Sequence, residues 1–251
     1  MTELPVLLGL AAAAGLAGFV DAIAGGGGLI QMPPLLAVLG PEWAPGVNKV
    51  ASVCGTTAAT VRYANHGCVR WKAAALAAPL AFAFGLAGTV SYLRFVKEAA
   101  HLVRPLFALC FLALAAQQVV RVVRREAPQA ERPPPSPWIG AAFVAVIGAY
   151  DGFVGPGTGM FLFWTFSTWF ALPALLATGT TKVVNLASNA GALCAFIARG
   201  AVLWPEGLAL AAANLVGGWL GARTAIRRGV PFIRLVTAAV SAAASVYLLL
   251  A

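Results

Sequence analysis

The sequence predicts an all-α polytopic membrane protein made of two homologous repeats whose helices are broken by glycines. The prediction depends on an apolar composition, two similar glycine-rich breaks, and a register of matched residues between the halves. The 251 residues are 61% hydrophobic and 10% charged, whereas a soluble domain carries about 25% charged residues. A water-soluble fold would lack a polar surface, so we expect several helices in a lipid bilayer.

The first glycine break follows an apolar run over residues 4–24 that contains Asp21 near its end. Four consecutive glycines, 25–28, come next. Each glycine destabilises a helix by about 1 kcal/mol relative to alanine, so the chain must leave the helix here. The same construction returns 130 residues later, where Asp151 precedes Gly155-Pro-Gly-Thr-Gly159. The two breaks therefore predict a pair of equivalent sites.

The repeat continues beyond the breaks at an offset of 133 residues, as expected for duplicated membrane units. The matched pairs are Lys49 and Lys182, Gly67 and Gly200, Trp71 and Trp204, and Gly85 and Gly218. Residues 1–120 form the first predicted transmembrane repeat and residues 138–251 the second. The segment 121–137 is rich in Arg and Pro and is predicted to be a cytoplasmic linker.

Each repeat combines full spans with shorter or more polar pieces. The piece over 29–39 covers about half a bilayer crossing, since a full span needs about 20 residues, and Pro33-Pro34 is expected to shorten it further. Its counterpart covers 160–172. The polar helices are predicted at 47–63 and 180–197, and the remaining spans at 4–24, 73–92, 102–120, 138–154, 207–222 and 232–250.

Positive charge predicts that the two repeats are inverted. If each repeat crosses an odd number of times, the loops 62–72, 121–132 and 223–234 share one side and hold eleven Lys or Arg residues. The other side then holds four. Only this arrangement obeys the positive-inside rule, and it places both termini outside. Re-entrant hairpins and full crossings at the breaks would both give an odd count.

The polar helices carry the candidate substrate-binding side chains. Lys49, Ser52 and Thr56 stand at i, i+3 and i+7, which places them on one helical face. The second repeat has Lys182, Asn185 and Asn189 at the same spacing, and Asn48 and Thr181 precede the two lysines. A charged residue at membrane depth normally faces a cavity or a partner. The lysines therefore predict an anion site or ion pairs with Asp21 and Asp151, and the two are compatible if an aspartate is protonated during transport.

The glycine breaks supply the second set of candidate binding groups. A helix that restarts after a break exposes backbone N–H groups, and its dipole favours an anion there. The candidates are Gly25, Gly26, Gly27, Gly28, Gly155, Gly157, Thr158 and Gly159. The alternative is that the glycines only allow helices to pack closely. Gly28 matches Thr158, so the two half-sites differ chemically.

Other activities lack the residues that they need. There is no Walker loop and no nucleotide-binding domain, and His66 and His101 are isolated. We therefore expect no enzyme, no cofactor, no metal and no nucleic acid. The expected partners are a small anionic substrate, a coupling proton or sodium ion bound through Asp21 or Asp151, and the bilayer. An oligomer is compatible with the sequence.

The paired motifs resemble the TauE/SafE sulfite exporter family over nearly the whole chain. The resemblance depends on Asp21-Ala-Ile-Ala-Gly-Gly-Gly-Gly-Leu-Ile and Asn48-Lys-Val-Ala-Ser in the first half. In the second half it depends on Tyr150-Asp-Gly-Phe-Val-Gly-Pro-Gly-Thr-Gly and Thr181-Lys-Val-Val-Asn-Leu-Ala-Ser-Asn. It implies a multi-pass transporter of small sulfur anions, such as sulfite or an organosulfonate, in a bacterial inner membrane.

The residues and the resemblance together predict a secondary transporter that works by alternating access. Lys49 and Lys182 are expected to supply charge, and the polar side chains near them hydrogen bonds. An anion channel and a non-transporting membrane scaffold are the alternatives. The substrate and the direction of transport do not follow from the motifs.

Overall fold

All the regular secondary structure in the part of the chain that the structure describes is helical, which confirms the predicted all-α class. The computed structural model describes residues 2–123 and 136–250. The helices are α1 Leu4–Ala24, α2 Gly27–Asn65, α3 Trp71–Val123, α4 Pro137–Phe153, α5 Thr158–Thr168, α6 Ala174–Ala198 and α7 Trp204–Leu250. Most of the predicted linker, residues 124–135, lies outside the described residues, so the division into repeats at 121–137 stays a prediction.

Both glycine breaks interrupt the helices where the sequence predicts. Helix α1 ends at Ala24, and Gly25 adopts a left-handed backbone (φ 80°) as its C-cap. Glycine is suited to this conformation because it has no Cβ. The chain restarts as α2 at Gly27. In the second half α4 ends at Phe153, and α5 begins at Thr158 after Gly157, whose φ is 86°.

Three long helices contain one residue with a non-helical backbone. These residues are Gly40 in α2, Ala99 in α3 and Gly229 in α7. The predicted spans 73–92 and 102–120 are therefore the two arms of α3. In the same way, 207–222 and 232–250 belong to the two arms of α7.

The first arm of α2 is longer than the sequence suggests, because it runs through Pro33 and Pro34 as far as Gly40. The expectation that these prolines shorten the helix is wrong. A proline removes one backbone hydrogen bond, but here burial of Met32 and Leu35 holds the arm against the core. The second arm begins at Pro41, well before the predicted start at residue 47, since proline suits the first position of a helix.

The repeat seen in the sequence also appears in the helix boundaries. The second arm of α2 starts at Pro41 and α6 starts at Ala174, while α3 and α7 start at Trp71 and Trp204. Both pairs differ by 133 residues. The interruptions at Ala99 and Gly229 differ by 130.

The two halves pack reciprocally, with α1 against α7 and α4 against α3. Gly221 lies against the backbone of Phe19, and its counterpart Gly88 lies against the backbone of Ala149, the counterpart of Phe19. Such reciprocity is what an approximate twofold axis produces. That this axis lies in the membrane plane, as inverted repeats require, stays a prediction.

The outer surface of the bundle is apolar. Large side chains such as Leu4, Val146 and Trp138 are more than two-thirds exposed. Among the described helices, Leu4–Ala24, Trp71–Ala99 and Ala174–Ala198 are long and apolar enough to cross a membrane. Many large exposed apolar side chains together with three helices long enough to span a bilayer indicate an integral membrane protein.

Candidate functional site

A buried ion pair joins the two halves at the centre of the bundle. Lys49 Nζ on α2 lies 2.9 Å from Asp151 Oδ1 on α4, and the two side chains are 4% and 3% exposed. Lys49 also donates a 2.8 Å hydrogen bond to Oδ1 of Asn189 on α6. The pair is therefore enclosed by helices from both repeats.

Two hydroxyl groups complete the surroundings of Asp151. Ser188 on α6 donates to Asp151 Oδ2 at 2.7 Å. Thr158, the first residue of α5, shares its one hydroxyl proton between Asp151 Oδ1 at 2.9 Å and the backbone carbonyl of Gly155 at 2.6 Å. Both carboxylate oxygens thus accept hydrogen bonds. A buried charge is tolerated when it is paired and hydrogen-bonded in this way.

The second ion pair is the counterpart of the first, but its surroundings are more open. Lys182 Nζ on α6 lies 3.0 Å from Asp21 Oδ2 on α1 and also donates to the backbone carbonyl of Asp21. The side chain of Asp21 is 21% exposed, compared with 1% for Lys182. Each lysine therefore pairs with the aspartate of the other repeat, which answers the question that the sequence left open.

A cavity enclosing about 430 Å³ of atom-free space, part of it open to solvent, lies beside Lys49 and Asp151. Both halves line it. The predicted site residues on its wall are Asp21, Gly25, Gly27, Gly28, Asn48, Lys49, Ser52, Thr56, Asp151, Gly155, Gly157, Thr158, Gly159, Asn185 and Asn189. The restarting ends of α2 and α5 both contribute, so two helix N-termini border the same space.

Three predicted site residues do not line this cavity. Gly26 lines neither of the two cavities described here, while Thr181 and Lys182 line a second, smaller one. The reason is that Lys182 is directed toward the backbone at the end of α1. Gly25 and Gly159 border both cavities, and their backbones touch so closely that a Cβ on either would overlap the other. This contact forms the wall between the cavities.

The charges around the two cavities balance one another. Lys49 and Lys182 are each neutralised by an aspartate, so they do not supply free positive charge as the sequence suggested. What remains for an anion is the partial positive charge of the two helix N-termini and the polar side chains. Asn48 and Asn185 are each 4% exposed, and their Oδ1 atoms have no hydrogen-bond partner among the described residues. Either amide can be turned to present its NH₂ group instead.

Sequence reasoning missed Gln31, Ser188 and Asn214. Gln31 and Asn214 line the cavity, and Ser188 binds Asp151. Their counterparts in the other repeat are Phe161, Gly55 and Ala81, so a search for matched residues passes over them. A polar residue inside an apolar run, as with Gln31 between 29 and 39, is the signal that could have found them.

The family model described as "Sulfite exporter TauE/SafE" matches residues 10–248. The chain belongs to the TauE/SafE family. The match spans both ion pairs and both glycine breaks.

Curated relatives are similar over almost their full length. A protein named "Probable membrane transporter protein ORF9" from Sinorhizobium sp is 33% identical over 94% of this chain and 90% of its own. "Probable membrane transporter protein YfcA" from Escherichia coli K12 is 30% identical over 98% of this chain and 90% of its own. No solved structure matches the chain significantly. A TauE/SafE protein with these relatives and this apolar bundle is a multi-pass membrane transporter.

Proposed function

We propose that the protein is a secondary transporter that carries a small sulfur oxyanion, such as sulfite or an organosulfonate, by alternating access. The main evidence for the proposal is the cavity between the two repeats. Each repeat places a helix N-terminus and polar side chains on the cavity wall, and the Lys49–Asp151 ion pair also lines it. Sites at broken helix ends between two repeats are typical of secondary transporters. The family description supports the sulfur class of substrate.

Alternating access is favoured over a continuously open pore by the wall between the cavities. Gly25 and Gly159 separate the space beside Lys49 from the space beside Lys182. A channel needs one continuous path, whereas a transporter opens each side in turn. The reciprocal packing of the halves offers two equivalent arrangements, one for each side.

The balanced charges suggest how an anion is coupled to a cation. With both aspartates ionised, the two pairs carry no net charge. A monoanion that enters would leave one uncompensated charge in the membrane interior, which is expensive. Protonation of Asp21 or Asp151 releases the charge of its lysine, so that the loaded site is neutral again. A sodium ion near either carboxylate would serve the same purpose.

Reconstitution into proteoliposomes tests the proposed function. Radiolabelled sulfite and taurine are followed with and without a proton or sodium gradient, and acetate and chloride serve as comparison anions. We expect saturable movement of a sulfur oxyanion that responds to one of the two gradients. Equal movement of all four anions at channel-like rates, or no movement above empty liposomes, would contradict the proposal.

The proposed location is a bacterial inner membrane, with both termini outside and the linker in the cytoplasm. Single cysteines placed in the linker at 124–135, in a background without native cysteines, test this topology. They should resist an impermeant maleimide in intact cells and react after permeabilisation. Labelling of intact cells would contradict the inverted arrangement.

A further inference from the structure

Gln31 presents a buried polar group to the main cavity. Its side chain lies on the first arm of α2, is 2% exposed and lines the cavity. The Nε2 atom has no hydrogen-bond partner among the described residues. Buried polar groups in native proteins are nearly always satisfied, so one that is not needs an explanation.

The orientation of the Gln31 amide follows from its neighbours. Asn214 Nδ2 on α7 donates to the backbone carbonyl of Ala14 at 2.9 Å and to Gln31 Oε1 at 2.9 Å. A backbone carbonyl can only accept, so the NH₂ of Asn214 must be the group that faces Ala14. Because this NH₂ group also contacts the Gln31 amide, the Gln31 atom that it contacts must be the acceptor oxygen Oε1. The group left for the cavity is therefore the NH₂ of Gln31, which can only donate.

Asn189 is oriented by the same kind of constraint. Its Oδ1 accepts from the ammonium group of Lys49 at 2.8 Å, and an ammonium group can only donate. The NH₂ of Asn189 is thus left to serve the cavity that this residue also lines. Two amides from different repeats are held with their donors available, unlike Asn48 and Asn185, whose oxygens have no partner to orient them.

We infer that Gln31, oriented by Asn214, is a substrate-binding residue that donates to a terminal oxygen of the transported anion. The inference rests on the proposed function and deepens it, because it names the group that recognises the substrate. A fixed donor favours an acceptor oxygen, as in a sulfite or sulfonate group. The counterparts of Gln31 and Asn214 are Phe161 and Ala81, so this recognition belongs to one half-site only.

Two substitutions at Gln31 separate binding from packing. Gln31→Glu keeps the shape and the oxygen that accepts from Asn214, but replaces the donor by a second oxygen that faces the anion. Gln31→Met keeps the length and removes both polar ends. Asn65→Asp is the matched control, because it makes the same change from amide to carboxylate at an exposed position outside the cavity.

The experiment measures thermal unfolding of the purified full-length protein in detergent during titration with sodium sulfite or sodium methanesulfonate. Total sodium is held constant with sodium chloride. A hydrogen bond from a buried donor to a charged acceptor predicts that apparent affinity falls about 10- to 100-fold in both Gln31 variants. Without added oxyanion, we expect both variants to stay folded but to unfold below the wild-type temperature, because Gln31→Met loses the hydrogen bond from Asn214 and Gln31→Glu buries a charge. The apparent affinity of each variant is therefore taken from the shift relative to its own unfolding temperature without oxyanion. Asn65→Asp should match the wild type in both measurements.

Three other outcomes would contradict either the role of Gln31 or the proposed function. Unchanged oxyanion affinity in Gln31→Glu and Gln31→Met, with the wild type stabilised, overturns the role of Gln31 and leaves the proposed function standing. Loss of folded protein in both variants overturns it too, because Gln31 would then be structural. No stabilisation of the wild type by either oxyanion overturns the proposed sulfur-oxyanion function together with this inference.

Discussion

The two aspartates hold equivalent positions in the repeats, yet their surroundings differ. Asp151 accepts from Lys49, Thr158 and Ser188 and is almost fully buried. Asp21 pairs with Lys182 and remains 21% exposed. One half-site is thus held tightly, and the other is more exposed, although both aspartates line the main cavity.

The difference comes from two substitutions between the repeats. Thr158 corresponds to Gly28, and Ser188 corresponds to Gly55. Neither glycine can donate through a side chain. At Gly55 the space for one is already filled by Asn214. A duplicated backbone therefore holds two chemically unequal sites.

Removal of a lysine should have the largest effect and should be asymmetric. Lys49→Met leaves Asp151 buried without its cation, and breaking a buried pair costs about 3–5 kcal/mol. Lys182→Met leaves Asp21 without its cation, but water can reach this carboxylate, so more folded protein should remain than with Lys49→Met. The measurement is the yield of monodisperse protein and its thermal unfolding in detergent.

The double variant Lys49→Met/Asp151→Leu is the control for this prediction. It removes both charges and should recover stability relative to Lys49→Met alone. Equal losses in the two single lysine variants would mean that the two half-sites do not differ in stability.

A methyl group added at the wall between the cavities should abolish transport. Gly25→Ala places a Cβ in the backbone of Gly159, and φ at residue 25 is 80°. Gly67→Ala is a matched control, because Gly67 also follows a helix end with positive φ (67°) and no atom lies within 4 Å of the added Cβ. Both variants share a backbone strain of about 1–2 kcal/mol. Transport of the labelled anion into proteoliposomes should therefore stop only in Gly25→Ala, and equal activity of the two variants would show that the wall is not required.

Asparagine substitutions should separate coupling from structure. Asp21→Asn mimics a protonated carboxyl, so we expect continued exchange of substrate between compartments and loss of the response to a pH gradient. Asp151→Asn keeps only one acceptor oxygen at a point where three donors converge, so we expect the substrate anion to bind at least tenfold more weakly. The measurement is counterflow in proteoliposomes with and without the gradient. An unchanged pH response in Asp21→Asn would exclude it as the proton carrier.

The smallest expected effects concern the hydroxyls on Asp151. Ser188→Ala removes a hydrogen bond to a buried carboxylate, and Thr158→Ala removes a hydroxyl shared between that carboxylate and the Gly155 carbonyl; each change costs about 1–3 kcal/mol. Ser91→Ala and Thr57→Ala are the controls, since these exposed hydroxyls donate only to carbonyls of their own helices. The thermal unfolding temperature should fall in Ser188→Ala and Thr158→Ala but not in the two control variants. Unfolding temperatures equal to those of the controls would show that the hydroxyls do not stabilise the tight half-site.

Local features of the sequence predicted the elements of the fold. Apolar runs marked the helices, and the glycines at 25–28 and 155–159 marked the breaks, because helix propensity acts over a few neighbouring residues. The register of matched residues predicted equivalent helix starts, such as Trp71 and Trp204. The prediction that Pro33 and Pro34 shorten the helix was wrong, because buried packing outweighed the lost backbone hydrogen bonds.

Tertiary structure alone decided the partners within the site. Lys49 meets Asn189 across 140 positions of sequence, Lys182 meets Asp21 across 161, and Asn214 meets Gln31 across 183. The sequence shows which residues are polar, but it does not show which helices cross. The crossed pairing and the fixed amide of Gln31 arise where residues of the two repeats meet in three dimensions, and matched spacing cannot reveal residues that differ between repeats.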